Sequence, residues 1–395
     1  MIRGVYVSPD SVVRTPDYAA ALTGDAGVNL FVLRAGFDPE RTDPALAAAA
    51  EVVRRCGAKV CALVGTWWGH GVESSGADMR TVCPWPDRGA AESHERQWAM
   101  RAPGGAFDER IAAALRRVIV DAALDAVCLT HARFRHAADI AGLFEAPADG
   151  WGVVDVEELH EALCRADAGA RVLTSDSALA RSRESDLPRY LDELASGGDV
   201  FVRWFRARRE IVSRSIRRFG AVACEAGGPS LEFGQNAMNP FMADLCGQDY
   251  RTMTGACDFV QPLLGYMRWH VMEPVLAWRD WFRSRVAGRG GREALTVAKR
   301  LLGLGAVDWP EDDPERLHGE GPASLIRQTT HAALRRVMAW QSESLAVTPV
   351  LQGQDWPPDL THEMSEYAES IGVAGVVYQG CKNLLPLSPP DDGWR

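Results

Sequence analysis

Residues 221–229 read Ala221-Val222-Ala223-Cys224-Glu225-Ala226-Gly227-Gly228-Pro229, a short apolar run, one carboxylate, and a glycine-rich turn. Four apolar residues bounded by turn signals read as a buried strand. An acid at its carboxyl end, opening into a loop, stands where a (β/α) barrel keeps its chemistry. The competing reading is an exposed loop acid.

Working outward, the same unit recurs. Apolar runs begin at Gly4, Val28, Lys59 and Asp125, then at Ala221, Asp258, Ala346 and Gly375. Helical patterns separate them: Pro16 to Leu22, the alanine-rich Pro44 to Cys56 closed by Gly57, Phe107 to Ala122, Val200 to Phe219, Arg292 to Leu302, Ala323 to Trp340 and Pro358 to Ile371. Strands alternating with helices predict parallel βαβ units, and the strand count predicts a (β/α)8 TIM barrel with long inserted loops and helices over its C-terminal face. The chain then forms a single domain, 1–395, with insertions at about 70–106, 137–198 and 267–340. A doubly wound sheet is disfavoured because Ser8-Pro9-Asp10, after the first strand, is no phosphate-binding glycine loop.

Composition excludes several classes. With 395 residues and 47% hydrophobic residues the chain can bury a large core. A formal charge of -10 argues against nucleic acid and against anionic membrane surfaces. Arg206, Arg208, Arg209, Arg214, Arg217 and Arg218 make one basic helix, read as a solvated face and only secondarily as an anion site. Nine cysteines without regular spacing, several inside apolar runs, read as reduced thiols of a cytoplasmic protein. The start, Ile2-Arg3-Gly4-Val5-Tyr6-Val7, lacks the layout of a secretory leader, and no apolar run approaches a membrane span of roughly 20 residues. No metal-ligand spacing or cofactor motif is found, so neither a metal nor a cofactor is expected. The oligomeric state is not legible.

At Cys224 to Leu231, Gly247-Gln248-Asp249-Tyr250 and Asp258 to Tyr266 the sequence resembles uncharacterised bacterial proteins grouped as glycoside-hydrolase-like TIM barrels, whose sixth strand ends in a Pro-Met-x-Tyr pattern. Val347 to Gln352 is similar to that group's seventh strand, and Leu129 to Phe134 to its fourth-strand Asp-Tyr-x-Arg-Phe element. Here Thr130 stands for the aspartate, His131 for the tyrosine, Glu225 for the fifth-strand aspartate and Leu264 for the methionine, while Arg133, Phe134 and Tyr266 are kept. The resemblance implies a glycoside-hydrolase-like enzyme.

Glycoside hydrolysis ordinarily uses two carboxyl groups. Glu225 is the first candidate and Asp355, in Gln352-Gly353-Gln354-Asp355-Trp356, the second; a helix N-cap is the alternative for Asp355. Asp10 also lies at a strand end. His131 and Arg133, two apart, are expected to point into the mouth together, His131 sharing acid–base duty and Arg133 holding a carboxylate. Arg34 is a similar case. Trp67, Trp68 and Trp356 offer flat faces to a sugar ring; Gln261, Tyr266, Gln352, Gln354 and Tyr378 offer neutral hydrogen bonds to hydroxyls. The expected partner is a small molecule, a saccharide or glycosylated metabolite. A non-hydrolytic sugar- or metabolite-binding barrel and a metal-assisted amide or ester hydrolase are the alternatives.

Overall fold

The computed structural model describes residues 1–35, 43–67, 81–82, 107–134, 140, 142–144, 146–147, 154–286, 290–309 and 321–385. Strand β1 (Ile2–Val7) is followed by helices α1 (Pro9–Arg14) and α2 (Pro16–Gly24), β2 (Leu30–Ala35), α3 (Pro44–Arg55), β3 (Lys59–Gly65) and β4 (Thr81–Val82). Next come α4 (Phe107–Ala122), β5 (Ala126–Thr130), β6 (Ala146–Pro147), α5 (Val156–Arg171), α6 (Ser175–Arg181), α7 (Leu187–Leu194), α8 (Val200–Gly227) and β7 (Glu232–Ala237). The last third holds α9 (Tyr250–Met253), β8 (Phe259–Pro262), a π-helical turn (Arg268–Met272), α10 (Glu273–Arg285), α11 (Gly291–Leu301) and α12 (Ala323–Trp340). It ends with β9 (Ala346–Val347), β10 (Val350–Gln352), α13 (Pro358–Ser370) and β11 (Gly375–Gln379).

The main sheet runs β10-β11-β1-β2-β3-β5-β7-β8-β9, with every pair parallel. Its two ends are one piece of chain. β9 pairs with β8, and three residues later β10 pairs with β11. Thr348 N–H donates to Val260 O at 2.9 Å, Val377 N–H to Pro349 O at 2.9 Å and Leu264 N–H to Val350 O at 3.0 Å. Residues 346–352 therefore act as one stave and close the sheet into an eight-staved TIM barrel.

Alternation along the strands fills the barrel with Tyr6, Leu30, Val32, Cys61, Ala126, Cys128, Phe259, Val350 and Val377. The opposite faces, with Val5, Phe31, Leu33, Val60, Val127 and Val376, pack under the helices. Local chemistry starts and stops those helices. The Asp43 carboxylate caps α3 by accepting from Ala45 N–H at 2.9 Å, with Pro44 in its first turn.

The strand expected at Ala221–Cys224 does not form. Those residues belong to α8, which has 28 residues. Buried positions recur along it at helical spacing: Phe201, Trp204, Phe205, Arg208, Ile211, Val212, Ser215, Ile216, Phe219, Val222 and Ala223. The period never breaks at Phe219. The glycine pair is the helix stop: Gly228 takes φ +73° and returns its N–H to Cys224 O at 3.0 Å. The strand lies further on, at Glu232–Ala237. Its Gly234 is required by packing, because a Cβ there would meet the Phe259 ring at 2.4 Å.

Candidate mouth of the barrel

Inward-facing positions at the carboxyl ends of the strands are Arg34 on β2, Thr130 on β5, Asn236 on β7, Gln261 on β8, Gln352 on β10 and Gln379 on β11, each in phase with the interior cluster below it. Among the described residues, no aspartate or glutamate occupies such a tip; amides dominate.

Four of these interior side chains interlock. Tyr6 O–H donates to Gln261 Oε1 at 2.5 Å, and Asn236 Nδ2 donates to both Tyr6 Oη at 2.6 Å and Gln261 Oε1 at 3.0 Å. Cys128 Sγ–H points at the same Gln261 oxygen at 3.4 Å. Burial pushes the Tyr6 hydroxyl well above the ordinary tyrosine range; Cys128 adds to the rise, and the Asn236 hydrogen bond opposes it. Burial likewise pushes the Cys128 thiol well up. Both therefore stay protonated donors, which fixes the Gln261 oxygen as an acceptor and turns its amide nitrogen the other way. That Nε2 is buried without a partner, and so is Gln352 Oε1; the side chains are 0% and 2% exposed. Buried polar atoms without partners are rare in folded proteins and costly.

Above this floor, the segment after β8 supplies an aromatic shelf. Tyr266 stacks on Trp269, centroids 5.9 Å apart and planes 19° apart, and His270 packs against Tyr266 at 5.2 Å. Tyr266 and Trp269 are half-buried, and Tyr266 is close enough to act on the Tyr6 hydroxyl. The shelf is built on the π-helical turn Arg268–Met272, a local distortion frequent at functional sites.

Charged groups ring the β10, β11, β1 and β2 tips. Asp355 is exposed on the connection from β10 to α13, and the cap position of α13 is Pro357, so the N-cap alternative for Asp355 does not hold. Asp10 is exposed in the first turn of α1, directly after β1. Arg34 is exposed at the β2 tip. Gln354 Oε1 is buried without a partner, lodged against Gly380, where a Cβ would come within 2.4 Å of it.

Several expected residues are placed elsewhere. Glu225, on α8, has a side chain 72% exposed and pairs with Arg116 at 3.3 Å; α8 runs back toward the start of β7, so Glu225 is at the amino-terminal end of the barrel. His131 follows the end of β5 with φ +59°, so the alternation expected to align it with Arg133 stops there. Arg133 is buried and donates to Phe134 O at 3.3 Å. Trp67 is fully buried, its indole N–H donating to Asp108 Oδ1 at 2.7 Å, while Asp108 Oδ2 accepts from Ser215 at 2.6 Å. Trp356 is core as well. Tyr378 faces outward and shares a 2.9 Å hydrogen bond with Ser365 of α13. These three aromatics pack the barrel wall and offer no platform. Trp68 lies outside the described residues.

Arg208, expected on a solvated face, is buried, donates to Leu143 O and lies 4.3 Å from the Phe134 ring centroid. Sequence reasoning missed Tyr6, Asn236 and Gln379. Tyr6 was legible as the inward position of β1, and Asn236 was lost with β7. Among the described residues, no three His, Cys, Asp or Glu side chains converge to hold a metal ion, and no described helix is long and apolar enough to cross a membrane.

No family profile and no curated protein matches the chain by sequence. Solved structures do match by shape. The glycoside hydrolase domain of PgaB (BpsB) from Bordetella bronchiseptica aligns with TM-score 0.50 at 12% identity, over 97% of this chain and 95% of that one. The catalytic domain of beta-amylase from Paenibacillus polymyxa aligns with TM-score 0.52 at 11% identity, over 99% and 94%. The likeness is one of fold. At such identities it gives a TIM barrel and transfers no residue roles.

Proposed function

We propose that this barrel takes a small saccharide or glycosylated metabolite into its carboxyl-terminal mouth and hydrolyses it. The observation that carries the reading is the half-buried Tyr266–Trp269 stack at the mouth, with two unpartnered amide atoms, Gln261 Nε2 and Gln352 Oε1, buried in the barrel beneath it and reached by a ligand only once the mouth opens. One seeks an acceptor and the other a donor, and a hydroxyl supplies both. The Tyr266–Trp269 shelf gives a flat apolar face above them, as sugar rings require. The neighbouring fold of two carbohydrate-acting proteins is consistent with it.

Asp355 and Asp10 are the carboxylates available for acid and base. β10 and β1 flank β11, so their tips are separated by two strand spacings, roughly 10 Å. Inverting enzymes hold their carboxyl groups roughly 6.5–9.5 Å apart and retaining ones roughly 5–5.5 Å, and the anomer formed first decides between them. A panel of aryl glycosides and oligosaccharides should be cleaved by wild type, and Asp355→Asn and Asp10→Asn should each lower kcat about a hundredfold or more. NMR of the first-formed anomer distinguishes inversion from retention. Turnover indifferent to both substitutions sinks the carboxylate assignment.

The second reading is a saccharide-binding barrel without turnover, favoured by the absence of an acid at any described inward-facing tip. Saturable binding with no cleavage across the panel selects it.

A further inference from the structure

Helices α7, α8, α11 and α12 and the segment after β7 line an open cavity of about 260 Å³ that shares no lining residue with the barrel mouth. Its charged lining is Arg189, Arg206, Arg209 and Arg336 against Asp186 and Asp244. Phe205, Phe241 and Leu301 form apolar wall between them. On a chain with net charge -10 this is a local reversal of sign.

The two aspartates engage two of the arginines loosely. Asp186 lies 3.9 Å from Arg189 and Asp244 3.8 Å from Arg209, both too long for a hydrogen bond; Asp244 also faces Arg251 at 3.7 Å from outside the lining. Arg206 and Arg336 have no acceptor in reach among the described residues, the acids acting on Arg336 from further off being Asp244 and Glu184. Arg336 is also held in place: its guanidinium carbon lies 5.3 Å from the Phe241 ring centroid and 4.9 Å from that of Trp340. Stacking pre-orients the planar fork of donors, while burial weakens its hold on its proton. The Arg336 donors, and those of exposed Arg206, are left open to an incoming anion.

We propose that this cavity binds the phosphoryl group of a small molecule. The lining holds two more positive than negative charges, partly offset by Glu184 just outside it, and a phosphomonoester carries -1.5 to -2 near neutral pH. Donors arriving from α7, α8 and α12 suit an anion with oxygens on several sides. The volume, at the small end of ligand sites, admits inorganic phosphate or a small phosphorylated metabolite. The site is separate from the saccharide mouth and stands or falls independently of it.

Calorimetric titration of wild type with inorganic phosphate, glucose 6-phosphate and glucose tests this directly. Saturable binding of phosphate or of the sugar phosphate is expected, weakened roughly tenfold or more in Arg206→Met and Arg336→Met and unchanged in Arg214→Met, an exposed control on the same helix outside the cavity. Tighter binding of glucose 6-phosphate than of phosphate assigns the site to a phosphorylated metabolite; equal affinities assign it to the free anion. If Arg336→Met fails to fold, the exposed Arg206 variant decides. No saturation at millimolar concentrations of either phosphate, or equal affinities in Arg206→Met and Arg214→Met, overturns the proposal.

Discussion

The two ends of the barrel treat polar groups in opposite ways. At the amino-terminal end, Lys59 meets Glu232 at 3.2 Å, the Asp125 and Asp258 carboxylates accept from Val60 and Phe233 N–H at 2.8 Å, and Glu225 meets Arg116 in open water. At the carboxyl end, Gln261, Gln352 and Gln354 each keep a buried atom without a partner. Unpartnered buried atoms also occur away from that rim, at Gln235, Trp278, Thr329 and Thr330, so what sets the carboxyl end apart is three such amides gathered at neighbouring strand ends.

Trp67, in the outer wall of the mouth, belongs with the satisfied set, which Asp108→Ala tests with the largest expected effect. The change leaves two buried donors, Trp67 Nε1 and Ser215 Oγ, without their acceptor, each costing about 1–3 kcal/mol. Urea unfolding should show a loss of about 3 kcal/mol. A loss below about 1 kcal/mol would mean that β3, α4 and α8 are not tied through this carboxylate.

Gln352→Met reverses the sign. The new side chain fills similar volume and removes a buried oxygen that has no partner, so stability should hold or rise by up to about 1 kcal/mol. Saccharide affinity, measured by titration, should fall roughly tenfold, the equivalent of one lost hydrogen bond. Reduced stability with intact binding would place Gln352 in the structural set and break the contrast between the two ends.

That contrast explains what the sequence disclosed. Parallel strands buried on both faces are apolar runs, so β1, β2, β3 and β5 stand out, and α12 matches its expected span residue for residue. β7 reads Glu232-Phe233-Gly234-Gln235-Asn236-Ala237; packing against Phe259 demands the glycine and the interior polar cluster demands Asn236, and both erase a strand signal. The apolar stretch at Ala221–Cys224 filled the gap in the count, although Val222 and Ala223 continue the i, i+3, i+4 series from Phe219. The candidate site follows the same logic. Gln261 and Gln352 were legible because they end recognisable strands and Tyr266 because it follows one, whereas Trp67, Trp356 and Tyr378 stand at or just past strand ends equally well and only side-chain direction reveals that they face the wall.

Alkaline titration probes the interior cluster. Folded Tyr6 and Cys128 hold their protons above the ordinary values, while the unfolded chain releases them near about 8.5 for cysteine and 10 for tyrosine. The unfolded state therefore binds fewer protons as pH rises through that range, and stability falls. Melting temperature should be level up to about pH 8 and decline beyond it, and Tyr6→Phe should flatten part of the decline above pH 10. A flat profile in wild type would mean that the cluster opens to water before it titrates.

The smallest effect is expected where the sequence alone pointed most strongly. Glu225→Gln removes one partner of an ion pair whose side chains are 48% and 72% exposed; such pairs contribute under about 1 kcal/mol and are screened by salt. Its carboxylate is at the opposite end of the barrel from the amides, so turnover and saccharide affinity should both match wild type. A collapse of turnover in Glu225→Gln with folding intact would move the reaction to the amino-terminal end, and with it the meaning of the unpartnered amides: they would then be a cost of the fold without a ligand to offset it.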